Sequence, residues 1–478
     1  MTSNKIFSFF GEICKIPRES GDEGKIIAYL QKFAKERNLN CVTDSAGNVL
    51  ITKPATAGME GAPTVVLQSH SDMVCEKNSD SKHNFQLDPI KVTEEDGWLI
   101  AKETTLGADC GIGVAAQLAL LDAGDIAHGP IEALFTTEEE TGLTGAKSLS
   151  PEFLKGDILI NLDSEDEGEL FIGCAGGIDT TGRFPYKQTK TPLNTVAVKF
   201  GFYGATGGHS GDDIEKNRAN SNQLLLRFLY EIYGKFEFAL CHIDGGNKRN
   251  AIAREAHATI AIKPENLDQI ASVFGKVVSE SQLEQKISDP NLTGRYESVP
   301  SFEYSADNES FGKMLLGLYG LPHGVLAMSQ EIPGFVETST NLASIKMVEK
   351  GFFTVCTSQR SSINSAKFNA ANRIEAIMRL AGAEVKHETD YPGWQPKLDS
   401  RIMRESVESY KKLFGVEPIV RAIHAGLECG IIIDKFPKMD IISFGPTIKG
   451  AHAPGEKLDI ASVEKFWLLL LDILKKLK

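Results

Sequence analysis

Three short, nearly uninterrupted apolar runs, at residues 64–68 (TVVLQ), 131–137 (IEALFTT) and 157–163 (DILINLD), are separated by helix-periodic stretches, among them 111–123. A further helix-periodic stretch, 22–37, precedes them. Runs of that length without polar alternation suit strands covered on both faces. Strands alternating with helices pack as a mostly parallel sheet with helices on either side, so the front of the chain is expected to be α/β. A glycine-rich stretch and then a Pro/Thr/Lys run follow at 173–192. Beyond it the pattern changes. Strands are expected at 195–203 and 236–247 and in the phrases NAIAREAHATIAIK and NLASIKMVEKGFFTVCTSQR, interleaved with helices at 220–233, 310–319 and 368–381. After Tyr391-Pro-Gly-Trp-Gln-Pro the α/β pattern returns, with a helix at 399–414, a strand at 440–444 and an apolar C-terminal helix. The expected layout is a mostly parallel-sheet α/β domain made of residues 1–185 and 388–478, interrupted by an inserted α+β domain at 186–387. Asn250-Ala-Ile and Asn341-Leu-Ala open similar blocks inside the insert, which suggests an internal duplication.

A chain of 478 residues has ample length for two large domains. Its 51 Lys and Arg against 64 Asp and Glu leave a formal charge of −13. Such a chain repels phosphate backbones, and no basic patch offsets the sum, so no nucleic-acid partner is expected. The first twenty residues hold too short an apolar stretch for a signal segment. The most apolar segment, 466–474, contains Asp472 and falls well short of the ~20 residues of a bilayer span. The eight cysteines are scattered, without a CxxC pair, which fits a reducing compartment. A cytoplasmic protein with no membrane partner is expected.

Five segments carry candidate chemistry: Gln68-Ser-His70-Ser-Asp72, Leu106-Gly-Ala-Asp109-Cys-Gly111, Thr137-Glu138-Glu139-Glu140-Thr-Gly142, Asn161-Leu-Asp163 and Gly450-Ala-His452-Ala-Pro-Gly-Glu456. Most follow an expected strand, and ligands bind at the carboxyl edge of an open α/β sheet. His and carboxylate groups together suit Zn²⁺, or Mn²⁺ and Co²⁺ in an oxygen-richer setting. In His70-Ser-Asp72 the aspartate is placed to hold a ligating imidazole by its second nitrogen; the same residues also suit a turn capped by Asp72. Asp109 alone reads equally as the N-cap of the helix at Gly111. Glu138, Glu139 and Glu140 are harder to place without an ion, because three adjacent carboxylates at the end of an apolar strand repel one another. With a metal bound, one can ligate while a neighbour takes a proton from water. The α/β alternation alone also suits a dinucleotide fold, but no GxGxxG stands at the first strand–helix turn.

The ordered motifs HxD, LGAD, EEExG, LD and GAHAPGE resemble the two-metal M20 metallopeptidases. The longer phrases TTLGADCGIG, TTEEETGLTGA, GATGGHSGDDI, RNAIARE, AIHAGLECGII and GPTIKGAHAPGE resemble the aminoacyl-histidine dipeptidase branch of that family, over essentially the whole chain. The resemblance implies a di-metal dipeptidase cleaving short unblocked dipeptides, Xaa-His including β-Ala-His, with broader dipeptide activity. The alternatives are another M20 hydrolase (a tripeptidase, cysteinylglycine dipeptidase or aminoacylase) and a non-catalytic metal-binding homologue. Two divalent ions per chain are implied, Zn²⁺ first, with Co²⁺ or Mn²⁺ as alternatives. Asp109 would bridge them, His70 and Asp163 completing one site and Glu140 and His452 the other. Glu139 would be the general base and Asp72 would orient His70. The family commonly has Asp or Asn after the bridging Asp, often across a cis peptide; this chain has Cys110. The insert would be a lid bearing His209 for the oxyanion, with Asn250, Arg360 and Gly426 toward the substrate. An Arg fork suits a terminal carboxylate, although a surface ion pair would account for Arg360 as well. A homodimer whose active sites are each complete within one chain is expected. The other histidines read as structural; His424 draws notice only through its nearness to Gly426.

Overall fold

Val65–His70, Ile131–Thr136 and Ile158–Asn161 are buried at every position, as parallel strands covered on both faces must be. The computed structural model, which describes residues 4–478, pairs them in parallel, with Val65 opposite both Ile131 and Ile158. Asp440–Ser443 joins in parallel beside Ile158–Asn161. The full sheet runs Asn40–Thr43, Val49–Lys53, Ile131–Thr136, Val65–His70, Ile158–Asn161, Asp440–Ser443, Glu169–Cys174 and Ile419–Ile423, so its centre is parallel. On either side of that centre the pairing turns antiparallel.

Helices Asn4–Ile13, Gly24–Glu36, Ala108–Asp122, Arg401–Phe414 and Ile460–Lys476 supply the core against this sheet. Ala108–Asp122 is buried along almost its whole length, which explains why its sequence shows no polar stripe. Gly113 lets it approach closely, since a Cβ there would lie 2.9 Å from the Leu162 carbonyl oxygen. The C-terminal helix starts at an Asp459 cap that accepts from Ala461 N at 2.8 Å. Among the described residues no helix is long and apolar enough to cross a membrane.

These elements form one compact unit, residues 1–174, 394–422 and 427–478. The second unit, residues 175–393 with 423–426, starts earlier than the expected insert. The reason is Gly176–Pro185, a strand laid between Phe352–Ser361 and Glu384–Tyr391. Its sheet runs Thr293–Val299, Val196–Tyr203, Ala256–Ile262, Phe238–Gly245, Val336–Lys346, Phe352–Ser361, Gly176–Pro185 and Glu384–Tyr391. Each half is built on strand, helix, two strands, helix, strand, and read inward from its own outer edge each has the sheet order fourth, first, third, second. The second half adds Gly324–Met328, which pairs with Val336–Lys346. The second half has Gly176–Pro185 as its first strand, so the half spanning 196–299 is inserted inside it. The two Asn-opened phrases are not equivalent: Asn341 lies within a second strand, whereas Asn250 precedes a third.

Candidate metal centre and the polar array of the second unit

His70 ends its strand, Thr137 and the glutamates follow the next, and Asp163 follows Ile158–Asn161, so three of the motifs meet at the carboxyl edge of the parallel strands. His70 Nε2 lies 3.0 Å from Asp109 Oδ1 and 3.2 Å from Asp163 Oδ1. His452 Nε2 lies 3.1 Å from Asp109 Oδ2 and 3.0 Å from Glu140 Oε2. One ring nitrogen presents one N–H or one lone pair, yet each faces two carboxylate oxygens, and Asp109 gives one oxygen to each ring. Glu140 Oε1 is buried without a hydrogen-bond partner, and Asp163 Oδ1 is buried with none beyond the His70 nitrogen it shares with Asp109. Two nitrogen- and oxygen-ligated dications would satisfy this donor set. Cys110 Sγ also approaches His70 and Asp163. Burial holds its thiol well above the ordinary range, and a ligating sulfur must be a thiolate; it contacts the Leu162 carbonyl at 3.4 Å instead. The Asp109–Cys110 peptide is cis.

Around these groups the chain supplies a frame. Asp72 Oδ1 stands 3.3 Å from His70 Nδ1 and accepts from Glu139 N at 3.1 Å, while Oδ2 accepts from Ser20 Oγ at 2.7 Å and Glu140 N at 3.2 Å. Burial would raise its pKa, but His70 and Ser20 bring it down to about 2. Arg18, 2% exposed, donates to Asp72 O at 2.6 Å and to Gly107 O. Glu456 accepts from the backbone N–H groups of Leu106, Gly107 and Ala108 at 2.7, 2.9 and 2.8 Å, fixing the turn into Asp109. Glu428 lies fully buried, accepting from Gln68 Nε2 at 2.6 Å and Thr136 Oγ1 at 2.7 Å; burial lifts its pKa to about 7. Sequence reasoning assigned no role to Arg18, Glu428 or Glu456. The last two sit inside the quoted motifs HAGLECG and GAHAPGE, the one signal that marked them.

Glu139 follows Glu138, whose φ of +50° turns the chain sharply after the strand and whose N–H is held by Glu23 at 2.7 Å. The Glu139 carboxyl is pushed well above the ordinary glutamate range: burial is the largest cause, His70 opposes it, and Asp163, Glu428 and Glu140 add to it. A carboxylate so placed has raised proton affinity, the property a general base needs.

The second unit carries its own polar array. His209 is paired opposite Ala251 in a two-residue ladder. Its Nδ1 lies 3.3 Å from Asp212 Oδ2 and its Nε2 3.4 Å from Arg360 Nη2. Arg360 is 6% exposed, with its Nε unpartnered, and Nη1 donates to Tyr391 Oη at 3.1 Å. Asn250 is exposed, and its carbonyl accepts from Ser210 N at 2.8 Å. Gly426 abuts Tyr391, where a Cβ would lie 2.8 Å from the ring. His424 bonds Ser339 Oγ at 2.7 Å, and burial drives its pKa down to about 3.

The sequence profile of peptidase family M20/M25/M40 matches residues 66–476. The cytosol non-specific dipeptidase of Escherichia coli (strain K12) is 40% identical over 479 residues, 100% of this chain and 98% of that protein. The crystal structure of aminoacylhistidine dipeptidase from Vibrio alginolyticus matches with a TM-score of 0.91 at 40% identity, covering 98% of this chain and 96% of that one. An aminopeptidase structure from Bacillus cereus shares the fold, with a TM-score of 0.59 at 16% identity over 100% and 99% of the two chains.

Proposed function

The chain belongs to peptidase family M20/M25/M40, and on that premise we propose that it is a metallo-dipeptidase that cleaves short unblocked dipeptides, Xaa-His foremost. The reading is carried by the shared Asp109 carboxylate, one oxygen to His70 and one to His452, with Glu139 on the adjoining turn. His70, Asp109 and Asp163 would hold one divalent ion, and His452, Asp109 and Glu140 a second, with Zn²⁺ the first choice. When bound, such a pair polarises a scissile carbonyl and makes water nucleophilic near neutral pH. Glu139 accepts the proton of the attacking water and returns it to the departing amine. Asp72 keeps His70 in one tautomer and, through the Glu139 and Glu140 N–H groups, keeps the base and its neighbour in register. His209 donates to the carbonyl oxygen as charge develops on it, and Arg360 takes the terminal carboxylate, with Asn250 beside His209. The similar Escherichia coli protein is named for the cytosol, which supports a cytoplasmic setting here.

Retention of both Glu139 and Glu140 favours catalysis over metal binding alone, since binding needs no spare base. Initial rates on β-Ala-His, Gly-His, Cys-Gly and Ala-Ala, with N-acetyl-Ala and a tripeptide as controls, test the proposal. Fastest cleavage of Xaa-His, slower cleavage of the other free dipeptides and none of the acetylated control is expected. Cleavage confined to the acetylated or longer substrate would overturn it.

A further inference from the structure

Residues 391–396, Tyr-Pro-Gly-Trp-Gln-Pro, look in sequence like a joint between two parts of the chain. In the second unit Tyr391 is anchored far more firmly than a joint requires. It closes the strand Glu384–Tyr391 opposite Gly177. Its ring occupies space that side chains would otherwise fill: a Cβ on Gly177 would lie 2.6 Å from it, and one on Gly426 2.8 Å. Neither distance is compatible with close packing of carbon atoms. Its carbonyl accepts from Lys367 Nζ at 2.6 Å, a lysine only 1% exposed. With the ring packed and the backbone tied in this way, the hydroxyl accepts from Arg360 Nη1 at 3.1 Å.

Arg360 has the complementary peculiarity. A buried guanidinium is costly unless an anion answers it. No carboxylate is hydrogen-bonded to it: Nη1 donates to a phenol, Nη2 lies 3.4 Å from His209 Nε2, Asp212 acts on it only as a nearby charge, and Nε has no partner. We propose that Tyr391 is a positioning residue that holds the Arg360 guanidinium ready for the terminal carboxylate of a dipeptide, and so sets the preference for a free C-terminus. An arginine held in one rotamer loses less freedom on binding than a mobile one. The two glycines are required because they seat the ring. The inference rests on the carboxylate-binding role proposed for Arg360.

The test is steady-state kinetics on a dipeptide and on its C-terminal amide, with the wild-type chain, Tyr391→Phe and Gly426→Ala. Tyr391→Phe keeps the ring and loses only the hydroxyl, so KM for the free dipeptide is expected to rise about tenfold with kcat little changed. KM for the amide should stay where it was. Gly426→Ala, which keeps the hydroxyl but crowds the ring, should reproduce that split. Tyr391→Phe kinetics equal to wild type, or an equal rise in KM on both substrates, would overturn the inference. A wild-type chain that does not distinguish acid from amide would remove the Arg360 role itself, a separate failure visible before any variant is made.

Discussion

Asp72 carries two tasks on one carboxylate, facing the His70 ring and accepting the N–H groups of Glu139 and Glu140. The His-x-Asp spacing makes the first task legible in the sequence. The second is not, because the glutamates stand 67 and 68 positions away. Glu456 is hidden for the same reason: the N–H groups it holds lie about 350 positions earlier in the chain. Removing Asp72 and removing Glu139 should therefore differ. Asp72→Ala is expected to weaken metal binding by roughly 10–100-fold, read by competition with a chelator. Glu139→Gln should bind metal as the wild type does and lose ~10²–10⁴ in kcat. Equal metal affinity in Asp72→Ala, or unimpaired turnover in Glu139→Gln, would remove the corresponding residue from its role.

Among the elements, the short apolar strands were readable because both of their faces are buried, so nothing interrupts the run. Gly176–Pro185 was not. It falls in the glycine-rich stretch where no strand was expected, and the glycines mark close approach: a Cβ on Gly176 would meet Gly393 N at 2.4 Å. Helix starts shift with their caps. The helix expected from residue 310 begins at Asn308, because Asp307 accepts from Ser310 N at 2.9 Å. Slight burial raises the Asp307 pKa, but the Ser310 and Lys187 N–H groups outweigh it and hold the carboxyl below the usual aspartate range. A lowered pKa in the folded chain means a contribution present above the unfolded value and lost as pH falls through the folded one. Asp307→Ala should loosen the first turn of Asn308–Tyr319 by ~1 kcal/mol near neutral pH, seen as about fivefold lower amide protection. The gap between variant and wild type should close as the solution is brought below pH ~4. A gap that stays constant into strong acid would show that the carboxylate is not the cap.

At the scale of the molecule, the return of α/β signals after residue 396 made a discontinuous first unit legible. The repeated strand order of the second unit was obscured because one half is inserted into the other, so comparing phrases along the chain pairs Asn250 with Asn341 although Asn341 lies within a second strand and Asn250 only precedes a third. The candidate motifs stood out as strings at strand ends, and their resemblance already implied a bridging Asp109; the structure adds that one Asp109 oxygen faces His70 and the other His452. That division is the centre of the proposed chemistry, and metal titration tests it most directly. The chain would be stripped with a chelator and Zn²⁺ titrated back, recording the initial rate on an unblocked dipeptide at each step. The rate should fall to background on stripping and climb to a plateau at two equivalents per chain. A rate that survives complete stripping, or a plateau reached at one equivalent, would contradict a catalytic centre built on a shared Asp109.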